Sequence, residues 1–398
     1  MEVGLQLTDG MENMDRPYDV IIAGAGLSGL SLAWQIRQSG MRELRILLID
    51  QANKQVNDRT WCWWERGSGP FEPLVYRSWD TIRVTSADGK AMQIPLGSYR
   101  YKMIRGIDMY RFMEEVVHGD PNILRLTEPI ESIHPEDQFV HVRTASGSWT
   151  GLHLFDSTHR MPMTDPHSRH LLQHFLGYVI QSPTPVFTPQ VPDLMNFHVP
   201  ETGDCRFIYI LPFSETEALV EYTLFTGELL KRDEYVKPLE QWINQHLGLS
   251  SYRILEEEFG VIPMSDEPVS EFPHPRVTRI GTAGGYTNPA TGYTFATTQK
   301  RLGQLVRHFL QTGQWQAGTP IRHRRFDLYA SVLLDVLSNG DVAASKVFWD
   351  LYRHNPIDRV FRFLDGESTF GEELRLMLTT PYLPFTKAGG QVLRRRIL

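Results

Sequence analysis

Residues 18–50 read YDVIIAGAGLSGLSLAWQIRQSGMRELRILLID, and the order of features in this stretch sets the architecture. An apolar run, VIIA, leads into the loop GAGLSG; a small-residue helical pattern follows, and a second apolar run, RILLID, closes on an acid. This is the signature of a dinucleotide-binding βαβ unit. Gly24 permits the tight turn after the strand, Gly26 lets the backbone approach a pyrophosphate with Ala25 between them, and Gly29 lets the helix sit close on the sheet. Unpaired N–H groups and the positive dipole end at the first helical turn favour the phosphates. Asp50 stands roughly 20 residues after Gly29, where an acid accepts hydrogen bonds from a ribose hydroxyl.

Outward from this unit, the chain has the length for two or three domains, with 398 residues of which 41% are hydrophobic and 22% charged. A net charge of −7 argues against a general nucleic-acid binder. No run approaches the roughly 18 apolar residues of a membrane helix, so any membrane contact is expected to be peripheral. Two cysteines, Cys62 and Cys205, make no disulfide framework and form no metal-binding spacing with the 14 histidines. A reducing cytoplasm and no metal are therefore expected, with residues 1–16 a loose extension rather than a targeting peptide.

After Asp50 a polar segment gives way to the aromatic WCWWE at 61–65 and then to strand-like sequence. GLHLFDSTHR at 151–160 reads as a return to the first domain through a short strand ending in Asp156. RFIYILPF and ALVEYTLF, joined by SETE, read as a hairpin. Near the end of the chain VTRIG gives a strand, TAGG a glycine loop, and a helix follows; beyond about 320 the spacing of Phe326, Tyr329, Val332, Leu333 and Val336 is helical, with a stop at Asn339-Gly340. The expected fold class is α/β, a Rossmann-like domain with an inserted β-rich layer and a helical C-terminal region. Residues 17–80, 100–180 and 276–315 form the discontinuous nucleotide domain in this reading, 81–99 and 181–275 the β-rich substrate layer, and 316–398 the helical region.

The second glycine cluster, GTAGGYTNPATGYTF at 281–295, offers backbone N–H groups and a helix N-terminus to an electron-rich ligand through Gly281, Gly284, Gly285 and Gly292. A flavin ring is the natural candidate, since its reduced form carries negative charge near N1 and C2=O; the plain alternative is an ordinary glycine turn. In ALVEYTLF strand alternation puts Leu219, Glu221, Thr223 and Phe225 on one face and Ala218, Val220, Tyr222 and Leu224 on the other. If the first face lines a dry cavity, desolvation keeps Glu221 protonated and able to donate to an alkene; if it is solvated, Glu221 is a surface charge. Trp61, Trp63 and Trp64 read either as core packing or as the lining of a hydrophobic tunnel with cation-stabilising π faces. Arg59 reads either as a pyrophosphate contact or as an exposed loop residue. Tyr222, Tyr293 and Phe295 complete the substrate-pocket candidates.

Together, GAGLSG, DRTWCWWE at 58–65, RFIYILPF with LVEYT, GTAGGYTNPATGYTF and the late NPIDRVFRFLDGES resemble the lycopene cyclase family, the flavoprotein carotenoid cyclases of bacteria and plants, from about residue 18 to 387. The resemblance implies an FAD-binding domain of the glutathione-reductase/hydroxylase type, with Gly24, Gly26 and Gly29 in the flavin motif, Asp50 as ribose partner and Glu221 as catalytic acid. It also implies reduced FAD with NAD(P)H as electron source, lycopene as substrate, and a peripheral position on the inner face of the cell membrane, where the apolar helical positions after 320 and Arg322, Arg324, Arg325, Arg394, Arg395 and Arg396 read either as contacts to anionic head groups or as solvated faces. Two departures stand out. Where family members often carry a second acid after the glutamate, this chain has Tyr222, and where related hydroxylases carry Gly-Asp in the second loop, it has Gly281-Thr282. Flavin monooxygenases and halogenases are the enzymatic rival, although the halogenase pattern continues WxW with Ile-Pro and here Trp64-Glu65 follows. A non-catalytic carotenoid or flavin carrier is the rival of another class.

Overall fold

Both apolar runs of the opening motif become strands without solvent exposure along their hydrophobic residues, as expected where a parallel sheet is covered on both faces. The computed structural model describes residues 16–161, 163–318 and 324–397, without the side chains of Arg324, Arg396 and Ile397. The extension expected before residue 16 and Arg322 lie outside the described residues.

Strands Val277–Arg279, Leu154–Asp156, Val20–Ala23, Ile46–Asp50 and Ile123–Thr127 form a five-stranded sheet in that spatial order, parallel throughout. Helices Leu27–Gln38, Gly106–His118 and Phe295–Thr312 contribute to the core on one face, and a small antiparallel sheet spanning Ile130–Gly151 covers the other through Val140 and Val142. This is the mixed α/β, Rossmann-like fold expected.

A seven-stranded sheet forms the second layer, in the order Arg253–Ser265, His170–Gln181, Glu217–Thr226, Cys205–Pro212, Asp193–Asn196, Thr81–Thr85 and Ala91–Pro95. The expected hairpin is its centre, Cys205–Pro212 paired antiparallel with Glu217–Thr226. His170–Gln181 belongs to this sheet, whereas the sequence pattern assigns residues up to 180 to the nucleotide domain. Its residues HLLQHFLGYVIQ are apolar on both faces because both faces are covered, so the pattern alone does not say which sheet it joins.

One face of the large sheet packs Ala218, Val220, Tyr222 and Leu224 against helix Asp233–Leu247. The other face turns Leu219 and Phe225 toward strand Thr60–Arg66, strand Tyr99–Arg105 and the C-terminal helices Ala344–His354 and Ile357–Leu364. Helix Arg324–Asn339 ends where Asn339-Gly340 predicts, Gly340 taking φ +67°. Among the described residues no helix is long and apolar enough to cross a membrane.

Candidate active site

The first glycine loop follows strand Val20–Ala23 with Gly24 at φ +95°, its N–H donating to the Ile49 carbonyl at 2.7 Å. A side chain at Gly29 would collide with the Gly24 carbonyl, whereas one at Gly26 would meet nothing within 4 Å. The Asp50 carboxylate accepts from the N–H of Ala25 at 2.6 Å and from that of Ala52 at 2.8 Å, which holds the acid beside the loop. Gly281 takes φ +64°, and a Cβ there would strike the Ser28 side chain, so the second glycine loop sits on the first turn of helix Leu27–Gln38. Gly284, Gly285 and Gly292 lie in this same loop, and the Gln173 Oε1 beside Gly292 is buried with no hydrogen-bond partner among the described residues.

Glu221 is 6% exposed and stands in a row across four strands, Tyr209, Glu221, Gly177 and Glu258. Burial and the neighbouring Glu258 push its carboxyl well above the usual carboxylate range. Glu258 is itself buried; its two oxygens accept from the Thr60 N–H at 2.9 Å and the Thr60 hydroxyl at 2.7 Å. Tyr101 links the hydroxyls of Tyr209 at 2.6 Å and Tyr293 at 2.9 Å. The Cys62 thiol beside them is pushed up to about 12 by burial. Those four groups are therefore neutral hydrogen-bonding and packing elements, since burial also raises all three tyrosines.

Strand Thr60–Arg66 divides the tryptophans. Thr60, Cys62 and Trp64 face the large sheet, where Trp64 stacks on Phe361 at 4.5 Å between ring centroids and meets Tyr293 edge-on. Trp61 and Trp63 face the nucleotide-binding side, Trp61 against Tyr110 and Trp63 stacked on Phe295 at 4.0 Å. Of the pocket candidates, Tyr293 is thus brought into the hydroxyl chain leading to Glu221, while Trp61, Trp63 and Phe295 pack on the other side of the strand. Tyr222 lies on the opposite sheet face, its hydroxyl accepting from Arg206, and is not part of the pocket. Arg59 donates to the carbonyls of Asp58 and Phe259. Thr60, Tyr101, Tyr209 and Glu258 were not singled out from sequence; the period-2 alternation of TWCWWE carried the signal for Thr60 and Trp64, and nothing local marked the others.

A cavity of about 1660 Å³ lies between the second glycine loop and the C-terminal helices, lined among others by Thr287, Asn288, Phe326, Val332, Leu378 and Tyr382. A space of about 20 Å³ adjoins it at Trp63, Trp64, Tyr293 and Asp365. Glu221 lines neither; Tyr101 and Tyr293 link this space to its neighbour Tyr209. Asp365 borders both spaces, accepts from the Trp64 indole N–H at 3.0 Å, and is pushed up to about 6 by burial. Among the described residues no group of histidine, cysteine and acidic side chains is placed to hold a metal ion.

The two glycine loops and two sheets define the fold shared by FAD-dependent oxidoreductases and halogenases. A geranylgeranyl bacteriochlorophyll reductase-like protein from Thermoplasma acidophilum superposes with a TM-score of 0.63 at 12% identity, over 94% of this chain and 99% of that one. An HpxO variant from Klebsiella pneumoniae, solved with FAD, gives 0.61 at 16% identity, over 92% and 100%. Within that fold the sequence match is narrower: the family model for lycopene cyclase protein matches residues 19–389, and the chain belongs to this family. The lycopene beta-cyclase of Pseudescherichia vulneris is 26% identical over 93% of this chain and 96% of its own length. The chloroplastic lycopene beta cyclase of Solanum lycopersicum is 24% identical, over 84% and 71%.

Asp365 generates a pH dependence with a defined sign. Its folded-state value is raised, so the native protein binds the extra proton between the unfolded value and about 6, and stability declines as pH rises through that window. Asp365→Asn keeps an oxygen for the Trp64 indole and removes the ionisation. Because Asp365 is exposed and solvent screens much of the effect, the variant is expected to gain on the wild type by about 1 kcal/mol or less between about pH 4 and 7. Urea titrations across that range measure it, and a difference that does not change with pH refutes the assignment.

Proposed function

We propose that the protein is a flavin-dependent lycopene beta-cyclase, converting the open ψ-ends of lycopene to β-ionone rings without net redox change. The observation that carries this reading is the Glu221 carboxyl, buried in an apolar sheet face, where burial and the neighbouring Glu258 raise it well above the usual carboxylate range. A hydrocarbon offers no polar handle, so its activation requires a strong, desolvated proton donor. Glu221 delivers the proton to C2 of the C1=C2 bond, the resulting C1 cation is attacked by the C5=C6 bond, and loss of the C6 proton completes the ring. Leu219, Phe225 and their neighbours exclude the water that would otherwise capture the cation as an alcohol. The faces of Trp64 and Tyr293 supply π density to positive charge.

The glycine loops fit FAD. Gly26 leaves open space where a pyrophosphate would approach, Asp50 stands where a ribose would be bound, and the unpartnered Gln173 oxygen beside Gly292 offers an acceptor. Bound FAD in its reduced state would supply negative charge that stabilises the cation, with NAD(P)H as the source of electrons that keeps it reduced. Lycopene resides in the bilayer, and the rim of the large cavity suits a docking surface: Leu374, Leu378 and Tyr382 line it while remaining exposed, with Phe370 and Leu383, the latter 76% exposed, beside them. This rim would rest on the inner face of the cell membrane as a peripheral contact. Of the arginines expected to meet head groups, Arg325 is engaged by Glu373 and Arg395 by Asp335, which leaves the exposed Arg394 for that role, and Arg375, outside the expected set, is exposed as well.

Three outcomes test this reading. In a lycopene-accumulating bacterial host, the wild type yields γ-carotene or β-carotene on chromatography, and Glu221→Gln reduces conversion by roughly 10² to 10⁴ while folding and flavin content persist; wild-type consumption of NADPH and oxygen in proportion to product would point to a monooxygenase. Gly26→Val leaves the apo fold intact, because its side chain meets open space, and lowers FAD occupancy measured by flavin absorbance; full occupancy rejects the placement. Leu378→Asp combined with Leu383→Asp abolishes flotation with anionic liposomes at low salt, and undiminished flotation rejects the docking rim.

A further inference from the structure

Gly177 is the only residue between the two buried acids in their row across the sheet, since it pairs with Glu221 on one side and Glu258 on the other. A Cβ on Gly177 would lie 2.5 Å from Cγ of Glu221 but 3.4 Å from its Cβ, so the Glu221 side chain leans across the glycine toward the strand that carries Glu258. With adjacent strands about 4.8 Å apart, the two backbones are separated by roughly 10 Å, a gap that two glutamate side chains reaching toward each other largely close.

The two acids differ in what surrounds them. Burial raises Glu258 as well, but the Thr60 N–H and hydroxyl, one on each oxygen, and Arg59 nearby pull it back toward its ionised form against Asp58, so it is raised less than Glu221. Among the described residues the Glu221 carboxyl has no hydrogen-bond partner. The titratable groups around it are Tyr209 from the neighbouring strand, Cys62 from strand Thr60–Arg66, Tyr101 from strand Tyr99–Arg105, and Tyr293 from the second glycine loop, all kept neutral by burial. Of the pair, Glu258 is therefore the acid that ionises first and the one that can face Glu221 as a charge. Two carboxyls this close in an apolar layer do not both ionise.

We propose that Glu258, anchored by Thr60 and separated from Glu221 by Gly177 alone, is the positioning residue that holds the proton on Glu221. The pair takes the place of the adjacent second acid that this chain lacks at Tyr222, with the partner supplied by a different strand. The inference rests on the reading of Glu221 as proton donor, and it adds that the donor's protonation is maintained by a fixed anion rather than by burial alone.

The test separates this claim from the catalytic one by using an infrared readout that needs no turnover. The protonated-carboxyl C=O band of Glu221, identified by its loss in Glu221→Gln, is followed against pH in the purified flavoprotein. Glu258→Gln is expected to move the band's midpoint, and the alkaline limb of the cyclisation profile, down by about one pH unit or more, because removing a neighbouring anion stabilises the Glu221 carboxylate. Glu258→Asp, which retains the charge, should restore much of the shift. Thr60→Val keeps the backbone donor but removes the hydroxyl, weakening the anion; it should shift the midpoint in the same direction by less, and it serves if Glu258→Gln does not fold. A midpoint that is unchanged or raised in these variants overturns the proposal. If the band shifts but the wild type converts no lycopene, the pairing stands and the cyclase reading falls; if cyclisation depends on Glu221 while the band ignores Glu258, the reverse holds.

Discussion

The two hydrogen bonds from Thr60 to Glu258 tie the aromatic strand next to the nucleotide-binding half onto the edge strand of the seven-stranded sheet. Around that seam Cys62 and Trp64 enter one core and Trp61 and Trp63 the other, so a side chain exchanged on either face is felt in both layers. The row that contains Glu221 is positioned by this strand on one side and by the hairpin register on the other. Local sequence shapes the hairpin, but only the seam fixes where its acid sits relative to the cavity.

How much of this could be read from the chain depended on how local each determinant is. The βαβ unit was legible because contacts that define it are local: a side chain on Gly29 would collide with the Gly24 carbonyl, and Asp50 accepts from the Ala25 N–H. The face of Glu221 was legible because alternation is a property of one strand, and the cores agree with it, Leu219 and Phe225 in one and Val220 and Tyr222 in another. Glu258 was not legible. It sits in LEEEFG, which reads as a solvated charge run, and its partner Thr60 is 198 residues away. The hydroxyl chain of Tyr101, Tyr209 and Tyr293 joins three distant segments for the same reason. The tryptophans fall between these cases: the spacing of TWCWWE separates Trp64 from Trp61 and Trp63, but which set would face the acid was decided by the packing of two layers.

Polar groups in the interior are concentrated where layers meet. Arg301 donates to both oxygens of Glu271, and Tyr286 adds a third bond at 2.7 Å, pinning the segment before the second glycine loop to helix Phe295–Thr312. His174 is held between Tyr235 and Thr226 beneath helix Asp233–Leu247, and burial pushes it down to about 4, so it remains neutral. These clusters are hydrogen-bonded internally, in contrast to the Glu221 carboxyl. An acid set in an apolar layer with no protein donor on its carboxyl is the group there whose reactivity is free for use.

The interleaved order of the parallel sheet also sets the order of assembly. Its strands arrive at residues 20, 46, 123, 154 and 277, yet the strand that pairs with Val20–Ala23 on one side is Leu154–Asp156, and the sheet edge beyond it is Val277–Arg279. During synthesis the first βαβ unit therefore emerges long before the strands that cover its open edge, while a layer of mostly antiparallel strands is completed in between. Such a nascent chain carries an exposed, apolar parallel edge for most of its elongation, the kind of surface that recruits other copies in aggregation and that chaperones shield. For this topology, protection of that early edge is a determinant of soluble yield that the stability of the finished molecule does not supply.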